Sequence, residues 1–527
     1  MKTRPVQYAN DRWHTARVLF IRIFCAGFLS AAFLIISGIS SAEVKISEGK
    51  NYIFQAGVDL RTDFIMMENN VDLDTKKRDD RVQYIAIDYS LPFDFKFKDG
   101  GPQLFVKFQR NGVYDYDAPV VIHNTLNTFV GKFKGYHDAE LLPKVKEYWA
   151  DIPVALAPEM RLKTGLFKYE VGHGMSLNGS YENYGIELST KTENISWNVY
   201  TCWPDYANKQ LLGPYIEQEK PQGVDYNHSK AYFVSTDMKI CAGEMSFQPY
   251  VGLLMDFSEG KRLSSFQTPT RDDILGTVGM AWYFNIDRLS MSAEWARNFG
   301  RAKSSESDFA DVVHQGYAVY ADIGYDFGKF DPRSRFIFAS GNKLTTDMID
   351  NGDTLYPGSK NNAFSVYSPF NTYLADSIYP GITTVPLLAM GNGWAMNYGV
   401  PRTGTFLDPA QIENLVIVDV GFDYSFTDKA TISFDWWYLS NAQKGIGMYN
   451  NVPKVISPDL GNEVDLSFDY AATKNITFSV GSGFFFPGAA FREERDDING
   501  SLFTPFVRGD GKADPAYQLE VSVEIGF

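Results

Sequence analysis

Apolar and polar residues alternate along the chain in segments of about ten residues, beginning near residue 51. In the last such segment, residues 517–527, large apolar side chains occupy every odd position. Glu520 and Glu524 lie among the even positions, together with Gln518 and Ser522. Side chains that alternate in this way lie on opposite faces of a β-strand. Apolar residues facing outward and polar residues facing inward are typical of a transmembrane β-barrel strand.

Eighteen segments show this alternation, which predicts an all-β transmembrane antiparallel barrel. Eighteen is an even number, as expected for a bacterial single-chain barrel. The first, fourth and thirteenth segments alternate least regularly, so sixteen strands is the alternative count. The predicted strands are 53–66, 81–91, 103–111, 144–151, 159–168, 181–191, 194–203, 229–240, 245–257, 273–285, 288–299, 314–327, 334–341, 413–426, 430–439, 461–471, 475–486 and 516–527.

The connections between the predicted strands alternate in length, which supports the same architecture. Links such as 285–288 and 427–429 are short, whereas 204–228, 487–515 and above all 342–412 are long. Short periplasmic turns alternating with long extracellular loops are the rule for outer-membrane barrels. A connection of about 70 residues would be unusual inside a compact soluble domain.

Aromatic residues cluster at predicted strand ends, as in 282–284 and 484–486. Amphipathic rings prefer the membrane interface, so we expect two aromatic girdles around the barrel. The alternative is a water-soluble β-sandwich or barrel, which would have to expose these rings to water. The chain also ends on Phe527 after an alternating strand, and this resembles the insertion signal that the barrel assembly machinery recognises.

The first 42 residues have the pattern of a secretory signal peptide. Basic residues precede an apolar run at 18–39, and Ser40, Ser41 and Ala42 follow it. We therefore predict cleavage after Ala42 and a barrel domain over 43–527, located in the bacterial outer membrane; an uncleaved anchor helix is the alternative. The net charge of −15 argues against a nucleic-acid partner, which requires a basic surface. Outer-membrane lipid is the expected surrounding partner.

Three stretches resemble the alginate export family of 18-stranded outer-membrane channels. They are residues 161–179 (RLKTGLFKYEVGHGMSLNG), residues 338–342 (FASGN) with the long loop after it, and residues 461–488 (GNEVDLSFDYAATKNITFSVGSGFFFPG). The first resembles a family strand that ends in a glycine-containing loop entering the barrel. The resemblance implies a porin-like channel that passes a polar solute or polysaccharide by diffusion. One departure is that 165–168 reads GLFK where the family usually has Gly-Arg-Gln, so a polymer-guiding arginine is not matched.

A barrel of this size leaves an aqueous lumen, and the polar face of each strand is expected to line it. The predicted lining is mixed to basic on the first five strands and acidic on the later ones. Charged walls of this kind select among solutes, although their charges would select little if they mainly pair with one another. The pore-lining residues that we predict are Arg61, Lys107, Arg161, Lys163, Lys168, Glu294, Asp322, Asp326, Asp419, Asp423, Asp435, Asp465, Glu520 and Glu524.

Acids outnumber bases in this set, so the sequence favours a channel more than it favours alginate as the solute. Two other functions stay open: a structural or adhesive barrel plugged by its loops, or the sheath of a larger conduit, and an outer-membrane hydrolase. No Ser/His/Asp group falls on one strand end, and His173 between two glycines is expected to be a turn residue. No enzyme activity and no cofactor are therefore predicted.

Acidic runs in two long loops could bind calcium, which prefers oxygen ligands. Neither run follows an ordered calcium-binding loop, and such runs are most often simply solvated. Cys202 and Cys241 should lie at opposite ends of a strand pair, too far apart for a disulfide, and are expected to be free thiols. The acidic runs are Asp347, Asp350 and Asp353, and Glu493, Glu494, Asp496 and Asp497.

Overall fold

The computed structural model of the protein describes most of the predicted strands and part of the connections. The described residues are 44–68, 82–115, 119–124, 127–132, 144–175, 182–202, 231–257, 270–304, 311–341, 349–350, 354–355, 360–361, 414–449, 452–493 and 513–526. The predicted signal peptide and Phe527 lie outside these residues, so cleavage after Ala42 and binding of the barrel assembly machinery stay predictions.

In the described residues, eighteen antiparallel strands form one closed ring, as the alternation predicted. Each strand pairs with its neighbours in chain order, and β18 pairs with β1 to close the ring. The strands are β1 Asp59–Glu68, β2 Val82–Phe97, β3 Gln103–Asp115, β4 Lys144–Val154, β5 Ala157–Lys168, β6 Glu182–Lys191, β7 Ile195–Cys202, β8 Ala231–Ala242, β9 Met245–Asp256, β10 Thr270–Ile286, β11 Leu289–Ser304, β12 Tyr317–Tyr325, β13 Phe330–Ala339, β14 Leu415–Thr427, β15 Ala430–Ser440, β16 Asp459–Thr473, β17 Ile476–Pro487 and β18 Ala516–Gly526.

Closure removes the free edges that an open sheet would expose. The seam between β18 and β1 is regular, with Gly526 opposite Asp59 at one end and Tyr517 opposite Glu68 at the other. Neither end strand of the ring is therefore left with an unpaired edge, which is required of strands that cross a lipid bilayer.

The first predicted strand, 53–66, is divided in the structure. Tyr52–Ala56 pairs with the final residues of β2, and β1 resumes at Asp59 along the same edge. The interruption lies beside Pro92 of β2, whose carbonyl accepts a hydrogen bond from Gly57 at 3.0 Å. Proline has no N–H to donate, so the regular ladder breaks there.

A short strand, Val44–Glu48, pairs with Tyr52–Ala56 and continues the line of β18. Gly526 is opposite Asp59, and Val44 is opposite Ala56 three residues further along the same edge. This hairpin covers an edge of Tyr52–Ala56 that β18 does not reach.

Short turns join the strands at one end of the barrel, as predicted. Residues 155–156, 243–244, 287–288, 428–429 and 474–475 are among them. The turn at 287–288 has Asp287 at φ 49°, the positive φ that two-residue hairpin turns require. The long connections leave from the opposite end, which is therefore the extracellular end.

Smaller elements accompany the long connections. Val312–His314 pairs with the end of β11, and Lys360–Asn361 lies parallel to it. The helix Ala489–Arg492 follows β17. No helix among the described residues is long and apolar enough to cross a membrane. The remaining short pairs are Pro119–Asn124 with Asn127–Lys132, Ile349–Asp350 with Thr354–Leu355, and Gly445–Tyr449 with Val452–Ile456.

The outer face of the barrel is apolar, and aromatic residues lie near both of its rims. At the end with short turns, Tyr325, Phe327 and Phe426 are 40–60% exposed. Towards the other end, Tyr148 and Tyr184 are exposed and share a hydrogen bond of 3.1 Å between their hydroxyl oxygens. These rings form the two interfacial girdles expected of a membrane barrel.

Candidate functional site in the barrel lumen

The inner face of each strand is identified by burial. On β16, Glu463 and Asp465 are buried, whereas Leu466 and Phe468 are 49% and 40% exposed. In a membrane the exposed apolar side chains face lipid, so the buried polar ones face the lumen. The same alternation places the inner face on each of the other strands.

Arg333 of β13 is the centre of a charge network on this inner face. Its Nη2 donates to both carboxylate oxygens of Asp435 at 2.7 Å, and its Nη1 contacts Asp423 Oδ2 at 2.6 Å. One guanidinium thus joins β13 to β14 and β15. Gly421 lies between them on β14, where an added Cβ would be 2.0 Å from Asp435 Oδ1. The glycine leaves the space in which the Asp435 carboxylate lies.

Arg335 and Asp419 extend this network along the barrel. Arg335 Nε donates to Asp322 Oδ2 of β12 at 2.8 Å. Asp419 lies opposite Arg335 in the ladder, is fully buried, and has no hydrogen-bond partner on either carboxylate oxygen in the described part of the chain. Its other ladder neighbour is Trp437, which is also buried. Acidic groups therefore exceed basic ones on this wall.

The seam of the barrel carries a second set of charges. Arg61 of β1 contacts Asp63 on its own strand at 2.8 Å and Glu520 of β18 at 3.0 Å. Asp59 accepts a hydrogen bond from the Ser90 hydroxyl of β2 at 2.8 Å. This seam is a charge-paired surface.

The wall of β4 to β6 is also charge-paired. Arg161 Nε donates to Asp151 of β4 at 2.9 Å, and its Nη1 donates to the carbonyl of Gly100 in a turn. Lys163 Nζ lies 4.4 Å from the centre of the Trp149 ring and 4.3 Å from that of Phe167. Such cation–π contacts hold the ammonium group against the wall.

Three carboxylates on this wall were not among the predicted lining residues. Glu147, Asp151 and Glu187 lie near Lys163 and interact with it electrostatically. The wall expected to be mixed to basic is therefore close to charge balance.

Residues 169–175, after β5, run along the inner face of β8 to β12. The Tyr169 hydroxyl donates to Asp237 of β8 at 2.7 Å, and the His173 backbone N–H donates to Glu294 of β11 at 2.5 Å. Tyr250 also donates to Glu294, at 2.5 Å. Glu294 is fully buried, so this carboxylate anchors the segment.

The turn in this segment depends on its two glycines. Gly172 and Gly174 have φ of 64° and 75°, which residues with a Cβ rarely adopt. The turn directs the His173 ring onto Tyr283 and Tyr320, with ring centres 4.5 and 4.8 Å apart. The glycine-containing loop at the end of the 161–179 stretch was expected to enter the barrel, and its described part, residues 169–175, does so; His173 is a turn residue as expected.

Most of the predicted lining residues lie on the inner face, and two do not. Lys168 shares the outer face of β5 with Leu162 and Leu166, because Phe167 is the buried inward residue. Asp326 lies in the turn after β12, where it accepts a hydrogen bond from the Gly328 N–H. The inward residues are Arg61, Lys107, Arg161, Lys163, Glu294, Asp322, Asp419, Asp423, Asp435, Asp465, Glu520 and Glu524.

Arg333 and Arg335 are two inward cations that sequence reasoning missed, and Lys239, whose Nζ lies 4.7 Å from the centre of the Tyr283 ring, is another. The two arginines alternate with Pro332, Ser334 and Phe336, so period-two alternation over 330–339 would have found them. The predicted strand, 334–341, began after Arg333; it included Arg335, which was not assigned to the lumen.

The calcium hypothesis stays a prediction. No group of three or more His, Cys, Asp or Glu side chains in the described residues is arranged to hold a metal ion. Glu493 Oε1 accepts the backbone N–H of Ser457 at 2.8 Å. Cys202 and Cys241 are free thiols, as predicted. The other predicted ligands, apart from Asp350, lie outside the described residues: Asp347, Asp353, Glu494, Asp496 and Asp497.

Several solved structures are similar to this chain at low identity. Pseudomonas aeruginosa OccK3 (OpdO) is 11% identical, with 90% of this chain and 95% of that chain covered and a TM-score of 0.48. The outer membrane protein OprD of the same organism is 8% identical; the match covers 93% of this chain and 97% of that chain, with a TM-score of 0.48. Acinetobacter baumannii OccAB4 is 10% identical; the match covers 90% of this chain and 98% of that chain, with a TM-score of 0.48.

No curated protein matches the chain in sequence. The family model described as alginate export matches residues 214–504, which is more than half of the 527 residues. The match includes β8 to β17, and therefore the acidic wall and its Arg333 network. The chain belongs to the alginate export family of bacterial outer-membrane β-barrels.

Proposed function

We propose that this protein is a channel through which polar solutes diffuse across the outer membrane, with a preference for cations. The observation that carries the proposal is the acid excess on the inner face of β12 to β16. In the described part of these strands, Arg333 and Arg335 are opposed by more carboxylates than they neutralise. These carboxylates are Asp322, Asp419, Asp423, Asp435, Glu463 and Asp465.

The excess of carboxylates on the inner face favours cations for an electrostatic reason. A cleft with charge of one sign and low-dielectric walls raises the local concentration of the opposite ion. Aspartate and glutamate in a pore favour cations by the same mechanism. Arg333 neutralises part of Asp423 and Asp435, whereas Asp419 has no ion pair in the described residues.

The family's name raises alginate, a polyanion, as a candidate solute. Its carboxylates would meet like charge on β14 to β16, where Asp419 and Asp465 are located. Repulsion between like charges disfavours its passage along this wall. We therefore propose neutral or cationic polar molecules as the substrate class.

Planar-bilayer recording of the purified protein in a KCl gradient tests the proposal. We expect unitary conductance and a reversal potential of the sign that potassium selectivity produces. Asp419→Asn and Asp465→Asn should each shift that potential towards the chloride value. Asp428→Asn, in the exposed turn between β14 and β15, is the matched control and should leave it unchanged.

Two results from a conducting channel would overturn the proposal. One is a wild-type reversal potential of the sign produced by chloride selectivity. The other is block of the current by alginate oligomers at concentrations where neutral oligosaccharides of equal length have no effect. The second result would identify an acidic polysaccharide as the solute.

A barrel with a filled lumen is the second candidate. The observation that favours it is burial of the inner wall: Asp419 and Glu463 are 0% exposed and Trp437 is 1% exposed. A structural or adhesive barrel of this kind would show no unitary conductance in the same recordings. Membership of a channel family supports transport over hydrolysis, so we do not propose an enzymatic role.

A further inference from the structure

Three basic residues lie on the outer face of β11. Arg297, Arg301 and Lys303 are exposed, and each shares the face of Trp295 and Phe299. The residues between them are inward: Ala296, Asn298 and Ala302 are buried. These basic side chains therefore point towards the membrane.

Their height in the membrane follows from strand geometry. Arg297 is eight residues above Leu289, where β11 begins at the short-turn end. At about 3.3 Å per residue and a tilt of about 40°, this puts Arg297 roughly 20 Å along the membrane normal. Arg301 lies roughly 30 Å along it, whereas the apolar band of such barrels is about 25 Å tall. The row crosses the outer boundary of the hydrocarbon region.

Arg297 has no ion pair or hydrogen bond with any described residue, and its two ladder neighbours are Val278 and Tyr317. Arg301 contacts Asp311, and Lys303 contacts Asp272 at 3.2 Å. A lipid-facing arginine is unfavourable inside the apolar band, by an amount that falls towards the interface. The guanidinium of Arg297 would therefore be stabilised by an ion pair with an anionic group of the membrane.

We propose that Arg297, with Arg301 above it, binds a phosphate group of an outer-leaflet lipid. The outer leaflet of this membrane contains phosphorylated glycolipids, whose phosphates lie at the boundary that the two arginines span. A planar guanidinium suits a phosphate because it donates two parallel hydrogen bonds. Trp295, Phe299 and Tyr317 surround Arg297 and offer apolar and aromatic surface to the acyl chains.

The experiment measures lipid binding to the purified full-length barrel in detergent by native mass spectrometry. The probes are bis-phosphorylated lipid A and the same lipid A with both phosphates removed. We expect the phosphorylated form to bind more tightly. Arg297→Gln should weaken that binding about tenfold, the value for losing one charge-assisted hydrogen-bonded contact. It should leave binding of the dephosphorylated form unchanged.

Lys168→Gln is the matched control. Lys168 is another exposed outward basic residue, on β5 near the extracellular end, and it is six strands from β11. This variant should bind both lipids as the wild type does. Arg297→Lys, which keeps the charge and loses the planar donor pair, should give intermediate binding.

Three outcomes would overturn the proposal. In the first, Arg297→Gln and the wild type bind phosphorylated lipid A equally. In the second, Lys168→Gln loses as much affinity as Arg297→Gln, which would indicate general attraction to basic residues. In the third, inorganic phosphate displaces the lipid at millimolar concentration, which would indicate a phosphate site without lipid preference. Retention of the compact form on a semi-native gel confirms that Arg297→Gln has folded, whether or not the barrel conducts.

Discussion

Arg61 and Glu520 form an ion pair of 3.0 Å, although 459 residues separate them in the sequence. Arg61 lies on β1 and Glu520 on β18, the two strands that close the barrel. The backbone ladder fixes their register, and this side-chain pair joins the same strands across the lumen face. Glu520 had been expected only to line the pore.

Replacing Arg61 should weaken the seam slightly. Glu520 is buried, but Arg61 is 38% exposed, so solvent screens the pair and we expect Arg61→Gln to cost less than about 1 kcal/mol. The readout is the temperature at which the barrel loses its compact form on a semi-native gel. Asp428→Asn, in the exposed turn between β14 and β15, is the control. An equal shift in both variants would contradict a specific seam contact.

The Arg333 pair should matter more, because its side chains are better shielded. Arg333 is 16% exposed and Asp435 7%, and removing the arginine leaves Asp435 and Asp423 facing each other. Removal of one partner from a buried pair costs about 3–5 kcal/mol. Arg333→Gln should therefore lower the free energy of unfolding by about 3 kcal/mol, measured by urea unfolding in vesicles.

A double variant separates charge from packing at this position. Arg333→Gln with Asp435→Asn removes the uncompensated carboxylate, so it should recover part of the lost stability. If the double variant is as unstable as the sum of the two single variants, the ion pair contributes no coupling and the prediction fails.

Period-two alternation was enough to predict the ring, because each strand must present one face to lipid and one to the lumen. The same rule assigned Asp435 and Asp465 to the inner face. It failed for Lys168, where a polar residue occupies the outer face near a strand end. At that height an exposed lysine reaches the membrane interface, so polarity no longer identifies the lumen side.

Contacts between distant parts of the chain could not be predicted from alternation. Glu294 accepts the His173 backbone N–H across 121 residues, and only the folded loop brings the two together. The same limit applies to Arg333, whose two aspartate partners lie on other strands. The sequence indicates which face a side chain occupies, but the partner depends on strand order and register.

Gly172 offers a test of how residues 169–175 are anchored. Its φ is 64°, and an added Cβ would lie 2.7 Å from Glu294 Oε2. Gly172→Ala should therefore push the segment off the wall and change single-channel conductance. Gly243→Ala is the control, because Gly243 has a similar φ of 62° with nothing within 4 Å of the added Cβ. Both variants strain the backbone, but only Gly172→Ala also clashes with Glu294, so only Gly172→Ala should change the conductance. Equal changes in both variants would disprove the anchor.

Acidification should loosen the same segment. Burial lowers the pKa of His173 below its ordinary value of 6.5. Backbone carbonyl contacts and the charge of Asp322 raise the pKa in part, and the charge of Lys239 lowers it further. We call residues 169–175 docked when they lie against the wall and free when they have left it. At a pH between the lowered pKa and 6.5, His173 binds more protons in the free state than in the docked state. Docking is therefore at full strength above pH 6.5 and weakens as the pH falls through the docked pKa.

The measurement is current noise in open channels as the bath is taken from pH 7.5 to below the docked pKa of His173. We expect noise to rise as the pH falls below 6.5, since a loosened segment moves in the lumen. His173→Gln cannot take up the proton, so it should show no such rise over this interval. If His173→Gln responds to pH as the wild type does, another group controls the segment. A fall in wild-type noise would reverse the sign and refute the argument from burial.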